Sequence, residues 1–546
     1  MNGIWRAYIS GDERIRPFFG PRPGDWPAAL EARDRAALTP LDDAALDEIA
    51  RLNAQWGVAP AVVDKVERLR APESRVIVTG QQPGLLAGPL YVLYKAIAAV
   101  RWAARAEAEL GRPVMPVFWV ASEDHDFEEV RSFRWRDAAD AWRTYGYALQ
   151  RYRPGMPIHD VPVEASLRDD LSRLFEEIKP TEFTEPLEEQ LLALAAQSDN
   201  LESFFVRILA WLLGERAPLF VSPRMRWLRR RTAPILEREL AHPGETSWRV
   251  FEAGQRLAAL DFEPPLRRRL EDVNAFVYRD GVRHKIVADG GDEAFELVGP
   301  DDQRQQIARQ ALREELAGRP DGFSLNVVTR PIGQDFALPT LAFVAGPGEV
   351  AYLAQLREAY EFFGVPLPMI LPRPQAYLIE PRVQRALDKL DLDLNALRDT
   401  TAEAFEASLR RQSQAPAVEA DLAEARRRMD AALDFTKKKV DMADPAVAKA
   451  YEKMAGMLQT SFEKLAERHQ RAALGRDEAR RRSIATIRDS LWPDGILQER
   501  ALTIFFPFLD LMGPGLIDHL IEALDLEARG IQPIAAATLA ARKENA

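Results

Sequence analysis

Cysteine is missing from all 546 residues. Its absence excludes disulfides, thiolate-bound metal, iron–sulfur clusters and a cysteine nucleophile. Long apolar runs are missing as well. The most apolar stretch, LYVLYKAIAAVRWAA, is interrupted by Lys95 and Arg101, so no membrane span is expected. The opening MNGIWRAYISGDER lacks the apolar centre of a signal peptide, and a soluble, cytoplasmic protein is the expectation. An excess of positive charge is lacking too. Lys and Arg number 73 against 84 Asp and Glu, a net charge of −11; such a surface repels phosphate backbones, which excludes general nucleic-acid binding. The basic clusters at Arg229-Arg230-Arg231, Arg267-Arg268-Arg269, Arg426-Arg427-Arg428 and Lys437-Lys438-Lys439 are expected to be solvated faces. Neither G-x-S-x-G nor H-E-x-x-H occurs, so nothing points to a serine hydrolase or a zinc-binding helix.

What is present suits a large globular protein, 47% hydrophobic and 29% charged, with room for roughly three to four domain-sized units. Five short apolar runs read as buried strands: RVIVTG from Arg75, VMPVFWVAS from Val114, PLFVS from Pro218, LAFVAG from Leu341 and LPMILPR from Leu367. Helical patterns follow most of them, which predicts a parallel sheet covered on both faces. Roughly a hundred residues separate the second run from the third and about 120 the third from the fourth, far beyond an ordinary crossover. Insertions are therefore expected near 132–215 and 230–320. Within the second, NAFVYRDGVRHKIVAD predicts a hairpin with a type I′ turn at Asp280-Gly281. The remaining organisation reads as an N-terminal helical segment over 1–70, the core over 71–375, a helical arm over 376–488 and a C-terminal helical segment over 489–546.

The arm shows apolar or small residues at Val418, Leu422, Ala425, Met429, Ala432 and Thr436, and again at Val447, Tyr451, Met454, Leu458, Ser461 and Leu465. Both series step by four and three, the seam of a coiled coil. Ala443-Asp444-Pro445 lies between them, and an antiparallel helical hairpin is predicted. Leu433, Val440 and Phe462 exceed what one seam needs and suggest a homodimer through this region.

Three segments could carry chemistry. The first strand runs into a glycine-rich turn, with Gly80, Gln81, Gln82, Gly84 and Gly88 before a helix; glycines admit close backbone approach and a helix start favours an anion. Lys95, a turn or more into that helix, is expected in solvent. The second strand delivers Glu123, Asp124, His125 and Asp126 to its C-terminal end, the edge where open α/β sheets bind ligands. These groups can transfer a proton, with His125 as acceptor, or hold Mg²⁺ through Asp124 and Asp126. Around the fourth strand stand Asn326, Arg330 and Gln334, then Gly346, Gly348 and Glu349, with Arg373 after the fifth. Arginine suits carboxylate or phosphate, while Glu349 can serve simply as a helix-start charge.

VTGQQPGLLAGPLYVLYKA, PVFWVASEDHDFEEV and RPIGQDFALPTLAFVAGPGEVAY, with LPMILPR and Leu497-Gln498-Glu499-Arg500, resemble the bacillithiol biosynthesis cysteine-adding enzymes, or cysteine ligases. The resemblance runs from about residue 75 to residue 500. It implies a Rossmann-like core similar to class I aminoacyl-tRNA synthetases, connecting-peptide insertions and a dimerising coiled-coil domain. The implied reaction joins cysteine to glucosaminyl-malate through an amide, with ATP activating the carboxylate as an acyl-adenylate or acyl-phosphate. The implied site is Gly80–Gly88 with Glu123–Asp126. One departure from the synthetases is the absence of a KMSKS-like loop. Other function classes open to the residues alone are a nucleotide-dependent transferase on the same core and a non-catalytic, ligand-binding coiled-coil scaffold.

Overall fold

The computed structural model describes residues 3–36, 40–149, 152–288, 291, 293–397, 400–405, 415–440 and 445–535. Two compact units result. One runs to Ala376 and resumes over Glu499–Ile534; the other spans Tyr377–Gln498.

Strands of the first unit are β1 (Arg75–Gln81), β2 (Val114–Val120), β3 (Ser132–Arg136), β4 (Trp142–Gly146), β5 (Leu219–Val221), β6 (Asp272–Arg279), β7 (Val282–Ala288), β8 (Ala294–Val298), β9 (Arg304–Ala308), β10 (Phe323–Leu325), β11 (Thr340–Ala345) and β12 (Met369–Pro372). The five apolar runs of the sequence are β1, β2, β5, β11 and β12. They form one parallel sheet in the order β12-β11-β1-β2-β5. Val76, Ile77 and Val78 in β1 are fully buried, because helices cover both faces. On one face Ala98, Ala99, Trp102 and Ala103 of the helix Leu90–Leu110 pack on Ile77, Ala342, Val344 and Met369. On the other, Phe118 meets both Phe220 and Phe205, the latter from the helix Leu201–Leu213. The chain winds outward from β1 to β5, then returns to place β11 on the other side of β1. That reversal opens a crevice beyond the C-terminal ends of β1 and β11, the place where doubly wound sheets take ligands.

The long gaps between core strands hold additional structure. The antiparallel pair β3–β4 and, among the described residues, three helices of 13 residues each lie between β2 and β5, with shorter helical turns. A five-stranded sheet in the order β10-β6-β7-β8-β9 lies between β5 and β11, with every neighbouring pair antiparallel. Asp280 (φ 51°) and Gly281 (φ 75°) turn β6 into β7 with both residues left-handed, as a type I′ turn requires.

In the second unit the helices Ala415–Val440 and Pro445–Leu491 pair. Arg426 bonds Glu463, Gln459 bonds Asp430, and the Tyr451 hydroxyl donates to the Leu433 carbonyl. Numbers rise on one helix as they fall on the other, so the pair is antiparallel. The seam differs from the heptad reading. Leu433, Val440 and Phe462 are partly buried, as are Leu422 and Met429, whereas Val447, Met454, Leu458 and Leu465 are exposed. Large side chains on the neighbouring faces out-compete the regular series for the interior. Ala443 and Asp444 of the predicted break lie outside the described residues.

Candidate active site

A cavity of about 640 Å³ occupies the crevice. Gly80, Gln81, Gln82, Glu123, Asp124, His125, Asn326, Arg330, Gly346, Gly348, Glu349 and Arg373 all line it. Gly80 is required by register. It pairs with Trp119 of β2, and a Cβ here would sit 2.6 Å from the Trp119 carbonyl oxygen.

Four of the expected residues stand elsewhere. Gly84 and Gly88 pack on one another, a Cβ on Gly84 falling 3.0 Å from the Gly88 Cα, and neither lines the cavity. The following helix does not present a free start, because the Leu90 N–H donates to the Leu502 carbonyl at 2.8 Å. Gln334 is buried beside the site, donating to Asp335 and accepting from Arg330. Asp126 caps the turn Phe127–Val130 by accepting the Glu129 N–H at 3.3 Å. The Asp124 carboxylate takes the Gln82 amide at 2.6 Å. Among the described residues no three His, Asp or Glu side chains gather to hold a metal.

The loop after β2 is fastened by its backbone. Ala121 N–H extends the ladder to Gln81, the Ile158 N–H donates to the Asp124 carbonyl, and Ser122 accepts from both the N–H and the ring Nδ1 of His159. The Ser122 and Ser222 hydroxyls share the buried carboxylate of Glu202, tying the ends of β2 and β5. From this frame Asp124 and His125 face the cavity. Burial and the neighbouring Arg283 hold the His125 imidazole below its ordinary pKa, against the pull of Asp124 and Asp126. Glu123 is buried and paired with Arg229, with the Tyr278 hydroxyl 3.5 Å away. Burial raises its pKa, and Arg229 and Arg283 oppose that rise.

Several cavity residues carry no motif. Lys95 is 2% exposed rather than solvated, since both faces of its helix are covered. Its ammonium donates to the Gly80 carbonyl at 2.8 Å and to Gln81 at 3.1 Å, and meets the Glu349 carboxylate at 2.5 Å. Glu349 also accepts the Gly346 N–H at 2.8 Å, so the protein's own carboxylate fills that helix start. Arg229, read as part of a solvated cluster, is an interior ion-pair partner, and Arg268 of the next cluster lines the cavity. Tyr278, Phe276 and Arg283 come from the inserted β6–β7 hairpin. Arg373 forms a two-pronged pair with Glu499, each side chain 1% exposed. The sequence holds no signal for these contacts beyond the strand-end position of Arg373 and the glutamate of the Leu497–Arg500 element.

Cations thus outnumber internal partners. Lys95, Arg373 and Arg229 are matched by Glu349, Glu499 and Glu123. Arg268 and Arg500 line the cavity without an ion pair or hydrogen bond among the described residues. The arrangement can receive anionic groups of a substrate beside a carboxylate and an imidazole.

Comparison with known proteins agrees with this layout. The family description "Bacillithiol biosynthesis BshC, N-terminal Rossmann-like domain" matches residues 1–374, and "Bacillithiol biosynthesis BshC, C-terminal coiled-coil domain" matches residues 376–530. A protein of Salinibacter ruber named "Putative cysteine ligase BshC" is 32% identical over 96% of this chain and 95% of its own length. Proteins of the same name from Symbiobacterium thermophilum and Geobacillus thermodenitrificans are 30% and 32% identical, over 96% and 84% of this chain and the same shares of their own lengths. With both domain descriptions matched end to end along the chain, the protein belongs to the BshC family of bacillithiol biosynthesis.

Proposed function

We propose that this chain joins cysteine to glucosaminyl-malate through an amide bond, the last step of bacillithiol synthesis, as an ATP-dependent carbon–nitrogen ligase of the cytoplasm. One observation carries the reading beyond family membership: the unpaired Arg268 and Arg500 share a cavity with Asp124 and His125. Both substrates are carboxylates, and the acceptor brings two carboxylate groups of its malate portion. Arginine meets such groups with paired, charge-assisted hydrogen bonds.

The cavity also fits a phosphate-bearing partner. The Arg373 Nε–H is buried without an acceptor, and it stands 3.3 Å from where a Cβ on Gly346 would lie. A side chain at 346 would close that approach. Arg373, Arg500 and Arg330 are the residues that would hold the phosphates. ATP, when bound, supplies the activation that a carboxylate lacks at neutral pH. The protein's share is to orient the acyl group, exclude water and take up the amine proton, with the Asp124 carboxylate as the acceptor.

Incubation with cysteine, glucosaminyl-malate and ATP, followed by mass analysis, should give the amide together with a cleaved nucleotide. A folded chain that makes no amide rejects the reading. Asp124→Asn and His125→Ala should each lower turnover by about 10²-fold or more, the scale of a lost proton-transfer or charge-stabilising group. The two side chains are 37% and 40% exposed, so thermal stability should change little. Wild-type turnover in both variants would place the chemistry elsewhere.

The second unit supports a homodimer. Val447, Met454, Leu458 and Leu465 are exposed at spacings that keep them on one helix face. A two-fold pairing of chains is the commonest way to cover such a stripe. Sedimentation at micromolar concentration should show a dimer, and the double substitution Met454→Lys with Leu458→Glu should give a folded, active monomer. A full-length chain that sediments as a monomer rejects the dimer.

A further inference from the structure

The proton inventory around His125 decides its chemical role. Arg283 lies almost fully buried over the face of Phe276, its guanidinium carbon 3.9 Å from the ring centroid. Its Nε donates to the Ser324 hydroxyl at 3.1 Å, and its Nη2 to the Leu325 carbonyl at 2.8 Å. The remaining prong, Nη1, stands 3.2 Å from His125 Nδ1. A guanidinium carries donors only. The contact therefore requires a lone pair on Nδ1, and a neutral imidazole with a bare Nδ1 bears its proton on Nε2. The charged groups facing the ring are Asp124, whose Oδ1 is 3.8 Å from Nδ1, Asp126 on the same loop, and Arg283 and Lys285 from β7. Nε2 makes no hydrogen bond to the protein among the described residues, so its N–H is left for a ligand.

We propose that His125 works as a hydrogen-bond donor from Nε2 to the carbonyl oxygen of the cysteinyl group, and that Arg283 is the positioning residue that holds it in this tautomer. A protonated Nε2 has no lone pair and takes no proton, so His125 is not the base. In the reaction the amine lone pair forms the new C–N bond while the C=O π pair moves onto oxygen, where the His125 N–H meets the growing charge. As the C=O bond reforms, the bond to the activating group breaks, and that group leaves with the electron pair. The surplus proton on nitrogen passes to the Asp124 carboxylate and then to water. The identity of the acyl group rests on the ligase reading; the tautomer does not.

Two measurements on the full-length chain separate these. With ¹⁵N-labelled histidine, NMR at neutral pH should show His125, assigned by its loss in His125→Gln, as neutral with a bare Nδ1 and a protonated Nε2. In Arg283→Met the ring should drift toward a mixture of tautomers. A wild-type ring protonated on Nδ1, or on both nitrogens, overturns the proposal whether or not the chain is a ligase and whether or not the variant folds. In the turnover assay, glutamine can donate a hydrogen bond but cannot act as a base. His125→Gln should thus retain at least about tenfold more activity than His125→Ala, within the 10²- to 10³-fold range of a lost oxyanion donor. Equal losses in the two variants would restore the role of base and overturn the donor assignment. A chain with no ligase activity leaves the NMR result to decide the tautomer alone.

Discussion

Lys95→Met should destabilise the sheet unit by about 3 kcal/mol, toward the lower end of what is lost when one partner of an interior ion pair is removed. The lysine is the hub of a closed set of contacts. Its three donors reach the Gly80 carbonyl, the Gln81 side chain and the Glu349 carboxylate, and methionine, though similar in length, offers none. Glu349 is 19% exposed and keeps the Gly346 N–H, which places the loss below the value for a fully enclosed charge. Burial pulls the Lys95 ammonium below its ordinary pKa, and Glu349 pulls it back up, so the two charges sustain one another. Adding Glu349→Gln should then recover a large part of the loss, because the orphaned carboxylate goes with it. An exposed pair such as Arg105–Glu109 should by contrast give less than about 1 kcal/mol when broken. Urea unfolding followed by tryptophan fluorescence reads all four chains. A loss below about 1 kcal/mol in Lys95→Met would show that the pair does not hold the floor of the cavity.

Lys95 also shows where sequence reasoning reaches its limit. The core strands were legible because β1, β2, β5, β11 and β12 are buried on both faces and so read as unbroken apolar runs. The Asp280-Gly281 turn was legible because two successive left-handed residues demand that chemistry. The polar loop Glu123–Asp126 was conspicuous directly after VFWVA, at the sheet edge where ligands bind. What stayed hidden are pairings between distant segments. Nothing local to Lys95 announces Glu349, and nothing local to Arg229 announces Glu123. The Arg229 cluster looked like a solvated face, yet a helix turns its residues in different directions, and only one of the three needs to face inward.

The glycine turn misled for a related reason. Gly84 and Gly88 are needed for each other, in a tight loop where Leu86 and Ala87 both adopt positive φ; the sequence pointed to backbone approaching a ligand, whereas here backbone approaches backbone. In the arm, the four-three spacing located the helices, while the choice of inward face depended on which bulky residues met across the pair. Phe462 and Leu433 were better interior candidates than Ser461 and Ala432.

Acidification should weaken the fold through His159, a residue no motif indicated. Its ring is 11% exposed, behind the loop that follows β2, and bonds the Ser122 carbonyl through Nδ1 at 3.1 Å. Burial first, then the positive charges of Arg224 and Arg229, lowers its pKa to about 3 from the ordinary 6.5. The folded chain therefore keeps this imidazole neutral across a range in which the unfolded chain protonates it. Below pH 6.5 the unfolded state binds the extra proton, so stability falls as pH falls, and the loss ends only below the folded value near 3. The slope attributable to one such group is about 1.4 kcal/mol per pH unit, reaching about 5 kcal/mol near pH 3. His159→Asn, which can still donate to Ser122 but does not titrate, should remove that component. Urea midpoints of wild type and variant should converge as pH drops from 7 toward 4, with the variant less stable at neutrality and comparatively favoured in acid. Carboxylates remote from His159 affect both chains alike and cancel in the difference; Asp160, 3.7 Å from Nε2, does not. Parallel pH profiles for the two proteins would mean that His159 is solvated in the folded state and does not buttress the loop that carries Asp124 and His125.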